Sequence, residues 1–177
     1  MRDDPSRIAE LRRIGILDSS PQRAYDDLTR LLATALPVPI AMFNILDEQR
    51  DWFKSRVGLA QTQMPVAASF CEAFFSFPGD VIVVEDTRLD ERFSGHPLVV
   101  GAPQVRFYAA ARLVVRGQTV GTLCAYDLQP RRLAPEQIDH LRAMACAAVE
   151  LLVGRSPALL AQATESVNSA IGRVLEP

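Results

Sequence analysis

Cysteine, histidine and tryptophan are scarce in this sequence, at three, two and one among 177 residues. Cys71, Cys124 and Cys146 form no CxxC, and His96 and His140 stand far apart, so a structural zinc site is not indicated. Such sparse cysteine suits a reducing compartment rather than a disulfide-stapled secreted domain. Charge is balanced, with 19 Lys and Arg against 21 Asp and Glu, which argues against a polyanionic partner. The basic pairs Arg12-Arg13 and Arg131-Arg132 are too short to form a nucleic-acid stripe. No apolar run approaches the roughly 20 residues that span a bilayer. The opening "MRDDPSRIAEL" lacks the charged-then-apolar pattern of a signal peptide. These absences point to a soluble, cytoplasmic protein with neither a nucleic acid nor a membrane as partner.

What is present is apolar material, 49% of the chain, enough for the core of one domain. Ile8, Leu11 and Ile14 at helical spacing predict a short helix over residues 6–16. Ser20 as N-cap and Pro21 at the first helical position predict a second, with Tyr25, Leu28, Leu32 and Leu36 as its buried stripe and Pro37 as its stop. "VPIAMFNIL" reads as a strand buried on both faces, with Asn44 its one polar residue. "DWFKSRV" alternates, with Phe53, Ser55 and Val57 on one face and Trp52, Lys54 and Arg56 on the other. "AASFCEAFFSF" is helical, with Phe70, Phe74 and Phe77 on one side. "VIVV" is a brief strand, "DTRLDERF" a helical turn capped by Asp86 or Thr87, and "SGHPLVVGAPQ" a loop. Two long strands, "VRFYAAARLVV" and "TVGTLCAYD", meet at the hairpin turn "RGQ". A periodic helix follows through Ile138, Leu141, Ala145, Ala148 and Leu152. Beyond Gly154, apolar residues recur at three- and four-residue spacing, predicting a helical extension over 155–177. The expected fold class is α+β: a central antiparallel sheet of five or six strands, terminal helices on one face, and a mid-chain helix plus loop on the other.

Six ordered segments carry a family resemblance: "LRRIGILDSSPQRAYDDLTRLLATAL", "VPIAMFNILDEQRDWFKSRVGL", "SFCEAF", "DTRLDERFSGHPLVVG", "RFYAAARL" and "GTLCAYDLQPRRLAPEQIDHLRAMA". Together they resemble the GAF domain, in the branch found at the N-terminus of bacterial histidine kinases and diguanylate cyclases. The match spans roughly residues 8 to 153, and the domain boundaries taken from it are 1–154, with the extension at 155–177. His96, Ala110, Arg112 and Ala134 stand where that branch usually has Asn, Gly, Pro and a capping Ser or Thr. The resemblance implies a ligand cavity between the sheet and the mid-chain helix, and dimerisation through the terminal helices. It also implies an output protein such as a kinase or cyclase. The motifs around the bilin-carrying cysteine of phytochromes and the cyclic-nucleotide signature of phosphodiesterase GAF domains are both missing, so the cofactor is left unknown.

Phe43, Trp52, Phe70, Cys71, Phe74, Asp86, Phe93, Arg106, Tyr108 and Cys124 are the candidate pocket residues on this resemblance. Cys71 is read first as pocket or core wall, then as a redox-responsive thiol, and last as a nucleophile, because neither Phe70 nor Glu72 lowers a thiol pKa. If Cys71 and Cys124 meet across the cavity they form a redox pair. Arg106 is read as a structural partner of Asp86 in preference to a grip for a carboxylate or phosphate. The function expected is that of a non-catalytic, small-molecule-sensing homodimer in bacterial signal transduction. The alternatives are a cysteine-dependent reductase of free methionine sulfoxide and a degenerate domain kept for dimerisation.

Overall fold

The structure, a computed structural model, describes residues 1–154; the extension expected over 155–177 lies outside the described residues. Its frame is a six-stranded antiparallel sheet: β1 (Ile40–Leu46), β2 (Arg50–Val57), β3 (Gln63–Pro65), β4 (Val81–Val84), β5 (Phe107–Val115) and β6 (Gln118–Asp127). The spatial order is β3-β2-β1-β6-β5-β4, so β1 and β6 form the centre. Both are buried along nearly their whole length, and their apolar runs serve two layers at once.

One layer is helical. It holds α1 (Pro5–Ile14), α2 (Arg23–Ala35) and α4 (Pro135–Leu152). Leu28 and Leu32 of α2, Leu141, Met144 and Ala148 of α4, and Leu11 of α1 share a core with Phe43, Ile45, Phe107 and Leu123 of the sheet. The opposite layer holds two 3₁₀ turns (Val66–Ala68 and Phe70–Phe75), a third at Thr87–Leu89 and the short helix α3 (Pro97–Val100). This is the α+β arrangement that the hydrophobic patterns predict, with helices sorted by face as expected.

The details differ where side chains found other partners. Helix α2 begins at Arg23, and Gln22 occupies the N-cap with no side-chain bond, so Ser20 does not cap it. Ser19 and Ser20 instead receive the Lys54 ammonium, which donates to the Ser19 hydroxyl at 2.8 Å and the Ser20 carbonyl at 2.7 Å. Helix α1 is capped by Asp4, whose carboxylate accepts from the Ser6 and Arg7 amides, and it ends at Gly15 in the left-handed region. Ala134, which has no capping oxygen, is partly relieved because its N–H donates to the Gln137 side chain at 3.0 Å. Helix α3 lies in the segment read as loop, and the short strand β3 in a segment to which the sequence assigns no element. The Phe70–Phe75 segment winds as 3₁₀ rather than α.

One extra residue in β2 matters most. Phe43 pairs with Ser55 and Asn44 with Phe53, which leaves Lys54 as a bulge. Ser55 therefore turns to the helical layer and donates to Asp26 of α2 at 2.6 Å, while Phe53 faces the opposite layer. The uninterrupted alternation expected for "DWFKSRV" stops at that bulge.

Gly121 sits where β6 runs close to β1: a Cβ there would lie 2.4 Å from the Asn44 carbonyl oxygen. Because that neighbour is backbone in the middle of the sheet, it cannot step aside. Gly121→Ala is expected to lower stability by about 2 kcal/mol in urea titration; a loss within about 0.5 kcal/mol would show that the strands separate freely there.

Candidate functional site

The layer opposite the helices divides into a sealed polar cluster and an apolar cavity beside it. The cluster is built from the outward parity of the central strands. Asn44 of β1, Asp51 of β2, and Thr122 and Cys124 of β6 rise from the sheet, and Ser69 and Cys71 descend from the 3₁₀ segment. The Asp51 carboxylate accepts from Asn44 Nδ2 at 2.9 Å, from Ser69 Oγ at 2.5 Å, and from the Arg2 guanidinium at 2.8 Å. Arg2 also donates to Glu72 at 2.6 Å and to the Asp47 carbonyl at 2.7 Å. Its pKa is raised: burial works downward, but the charges and hydrogen bonds of Asp51 and Glu72 outweigh it. The N-terminal arginine thereby locks the chain start to the layer that carries Cys71.

Cys71 Sγ lies 3.4 Å from Cys124 Sγ, 3.1 Å from Thr122 Oγ1 and 3.4 Å from the Tyr108 hydroxyl. Thr122 Oγ1 is also 2.9 Å from Cys124 Sγ, so one hydroxyl bridges both sulfurs. Both cysteines are free, and both are 0% exposed. Burial raises the Cys124 thiol well above its ordinary range, and its neighbour Cys71 adds to that. For Cys71, burial again works upward, but hydrogen bonds from Cys124, Thr122 and Tyr108 bring the net shift down. The downward shift of Cys71 is made against both its burial and the nearby Asp51 carboxylate.

The space beneath the phenylalanine-rich segment, expected as the hollow, is filled. Phe70 stacks on Phe93 with centroids 5.1 Å apart and meets His96, Tyr108 and Tyr126 at 4.1, 5.2 and 5.5 Å. Phe74 is buried in the same cluster. The cavity lies to one side, over β1 and β2. It measures about 280 Å³ and is walled chiefly by Met42, Phe53, Leu59, Met64, Leu98 and Tyr126, with Gln61 and Gln63 at its edge. None of the ten candidate residues lines it. Phe43 and Trp52 belong to the helical core, because each is one residue out of phase with the wall residues Met42 and Phe53. Phe70, Cys71, Phe74, Phe93, Tyr108 and Cys124 are brought together as core of the sealed cluster.

Asp86 is taken by Arg88, at 2.6 Å, rather than by Arg106 or Arg92. Arg106 donates instead to the carbonyls of Val99 and Val105, pinning its own loop, and Arg92 pairs with Asp90 at 2.6 Å. Asp86 borders a separate, shallow groove of about 530 Å³ with Arg131 and Arg132, open to solvent. Cys146 is exposed on α4, not buried. His96 accepts from the Leu98 amide at 3.2 Å, as the N-cap of α3. Among the described residues no three of His, Cys, Asp and Glu cluster as metal ligands, and no described helix is long and apolar enough to cross a membrane. Besides the two cysteines, Asn44, alone polar in a run of apolar residues, is the visible trace of the buried cluster; Arg2, Asp51, Ser69 and Thr122 carry no such signal.

Removing Asp51 would strand the donors that converge on it. Asp51→Ala is expected to lose about 3 kcal/mol in chemical denaturation, well above a surface ion pair. A loss below about 1 kcal/mol would mean that Arg2 holds no structural position.

Comparison with known proteins matches these features to a family. The GAF domain profile matches residues 20–151. A cyclic di-GMP phosphodiesterase of Pseudomonas aeruginosa is 34% identical over 155 residues, covering 85% of this chain but 26% of that protein. The chain thus spans about a quarter of that relative's length. Among solved structures, the GAF domain of an Acinetobacter phosphoenolpyruvate-protein phosphotransferase superposes with a TM-score of 0.63 at 18% identity, covering 85% of this chain and 95% of that one. A type II free methionine-R-sulfoxide reductase from Thermoplasma acidophilum superposes with a TM-score of 0.58 at 12% identity, covering 73% and 92%. The profile match, the sheet order and the division of helices between its two faces agree, and the chain belongs to the GAF domain family.

Proposed function

We propose that this chain is a sensor module of bacterial signal transduction that binds a small, neutral, largely apolar molecule and passes the event to an output domain or partner. The cavity over β1 and β2 carries the reading. Its volume of about 280 Å³ lies at the small end of ligand pockets, near the roughly 300 Å³ lower bound. No charged side chain lines it, so a phosphate or carboxylate buried there would lack a partner. Both properties disfavour a cyclic dinucleotide as occupant. The phosphodiesterase relative supports cyclic-dinucleotide turnover as the downstream activity, rather than as what this domain binds.

The bulge in β2 supplies a route for the signal. Phe53 touches the occupant, and the next two residues, Lys54 and Ser55, grip the helical layer through Ser19, Ser20 and Asp26. An occupant that favours one position of Phe53 biases how α2 sits against the sheet. The shift can be no larger than the ligand's difference in affinity between the two arrangements. The chain works as a homodimer through its terminal helices, where Cys146 of α4 and Val153 just beyond its end are exposed and leave that helix available. The reductase alternative is disfavoured by access: the sulfurs of Cys71 and Cys124 are sealed beneath aromatic rings, beyond the reach of a zwitterionic amino acid.

Native mass spectrometry of the freshly purified chain, followed by thermal-shift screening of neutral aromatic and aliphatic metabolites, tests the reading. A ligand present at a hundred times its Kd adds about 2.7 kcal/mol of stability. Met64→Trp, which fills the cavity from its rim, should abolish the shift while leaving the fold's circular dichroism unchanged. A ligand whose effect survives Met64→Trp binds elsewhere, and the cavity reading then fails. Removing residues 155–177 should lower the mass found by sedimentation towards that of a monomer; an unchanged dimer would place the interface outside that segment.

A further inference from the structure

Two cysteines from distant parts of the chain meet in this fold, 53 positions apart in sequence and with their sulfurs 3.4 Å from each other. One rides on the 3₁₀ segment that roofs the layer, and the other on central strand β6. A buried pair kept only for bulk would need no polar company. Here a threonine hydroxyl touches both sulfurs, and a tyrosine hydroxyl and an asparagine amide point at Cys71, the latter at 3.5 Å. The amide oxygen of that asparagine is itself buried without a partner. These groups can donate to charge that develops on the Cys71 sulfur, against its burial and the nearby Asp51 carboxylate, and Thr122 can relay a proton between the two sulfurs.

The sulfurs are sealed but lie just behind the cavity. Met42, in the cavity wall, is the cross-strand partner of Cys124, and Tyr126, also in the wall, stands two residues along the same strand face. A neutral oxidant the size of water has only these side chains to pass, whereas a charged or amino-acid-sized molecule is excluded.

We infer that Cys71 and Cys124 form a dithiol site that a small neutral peroxide oxidises to an intramolecular disulfide. The Cys71 sulfur attacks one peroxide oxygen, the O–O bond breaks, and the proton given up by Cys71 passes to the departing oxygen, so that Cys71 becomes a sulfenic acid and water leaves. The Cys124 sulfur then attacks the sulfenyl sulfur, the S–S bond forms, and the sulfenic oxygen departs as a second water with the Cys124 proton. Two thiols lose two electrons and hydrogen peroxide gains them. The sulfurs need only close from 3.4 Å to the roughly 2.05 Å of the bond. The bridge would tether roof to sheet immediately beside Glu72 and Ser69, which hold Arg2 and so the start of the chain. This site stands whether or not a ligand occupies the neighbouring cavity.

The test uses the full chain carrying Cys146→Ser, which removes the exposed thiol and with it any bridging between molecules. The reduced protein is treated with a small excess of hydrogen peroxide, quenched with catalase, denatured and alkylated. Both remaining thiols should disappear together, with the loss of two hydrogens in intact mass. A peptide joining Cys71 to Cys124 should appear, and dithiothreitol should restore both thiols. In Cys124→Ser the sulfenic acid on Cys71 should persist and be trapped by dimedone, whereas in Cys71→Ser no trapped adduct should form on Cys124. Two thiols that stay alkylatable under peroxide that oxidises Cys146 in the unsubstituted chain would overturn the inference. So would oxidation that proceeds to sulfinic acid without a bridge, or a bridge that forms only in urea.

Discussion

The alternation of side chains along β1 is the constraint on which the other features depend. Ala41, Phe43 and Ile45 face the helices, while Met42, Asn44 and Leu46 face the opposite layer, and none of the six is free to face water. A strand with two buried faces must satisfy two cores, and a one-residue slip would exchange them. Strand β6 obeys the same rule, sending Leu123 and Ala125 one way and Thr122, Cys124 and Tyr126 the other. Cavity, thiol pair and polar cluster all lie on one side of this partition, and the terminal helices lie on the other.

Communication between the two sides therefore needs a place where the alternation breaks. Lys54 supplies it. As the extra residue of a bulge, it lets Phe53 serve the cavity while Lys54 and Ser55 both reach the helical layer. Polar bonds at that joint are directional, unlike the apolar contacts around them, and so they hold α2 to a particular position against the sheet. The same joint fixes the segment before α2, where Lys54 holds the Ser19 hydroxyl and the Ser20 carbonyl, and Ser20, expected as the cap, lies two residues ahead of the actual N-cap, Gln22.

The opposite layer is held by contrast at its polar end. Asp51 draws together a strand, the 3₁₀ segment and the N-terminal arginine, residues that lie far apart in the chain. A buried carboxylate is tolerated here because three donors answer three of its four lone-pair directions and one of them, Arg2, carries the opposite charge. Beside it, aromatic rings fill the volume under the roof, and the open space is displaced over β1 and β2, where the smaller and more flexible Leu59, Met64 and Leu98 meet. The free thiols stand between the two regions, one side chain from each.

Hydrophobic spacing made the architecture legible. Periods of 3.6 in α2 and α4 and the doubly apolar run of β1 require helices on one face and a central strand, whatever the chain's partners. The resemblance of six ordered segments carried the family. Strand β3 escaped because it rests on its pairing with β2, and the single turn of α3 because its cap is a histidine, not one of the usual Ser, Thr, Asp or Asn. The candidate site was legible only in part: the meeting of Cys71 with Cys124 was anticipated, but the cavity wall was not. Phe43 and Trp52 differ from Met42 and Phe53 by a single position, and both members of each pair are apolar, so composition cannot say which one faces which layer. Periodicity names the layers because it is local, whereas the bulge, the filled roof and the convergence on Asp51 depend on how distant segments share one volume, which only the folded chain decides.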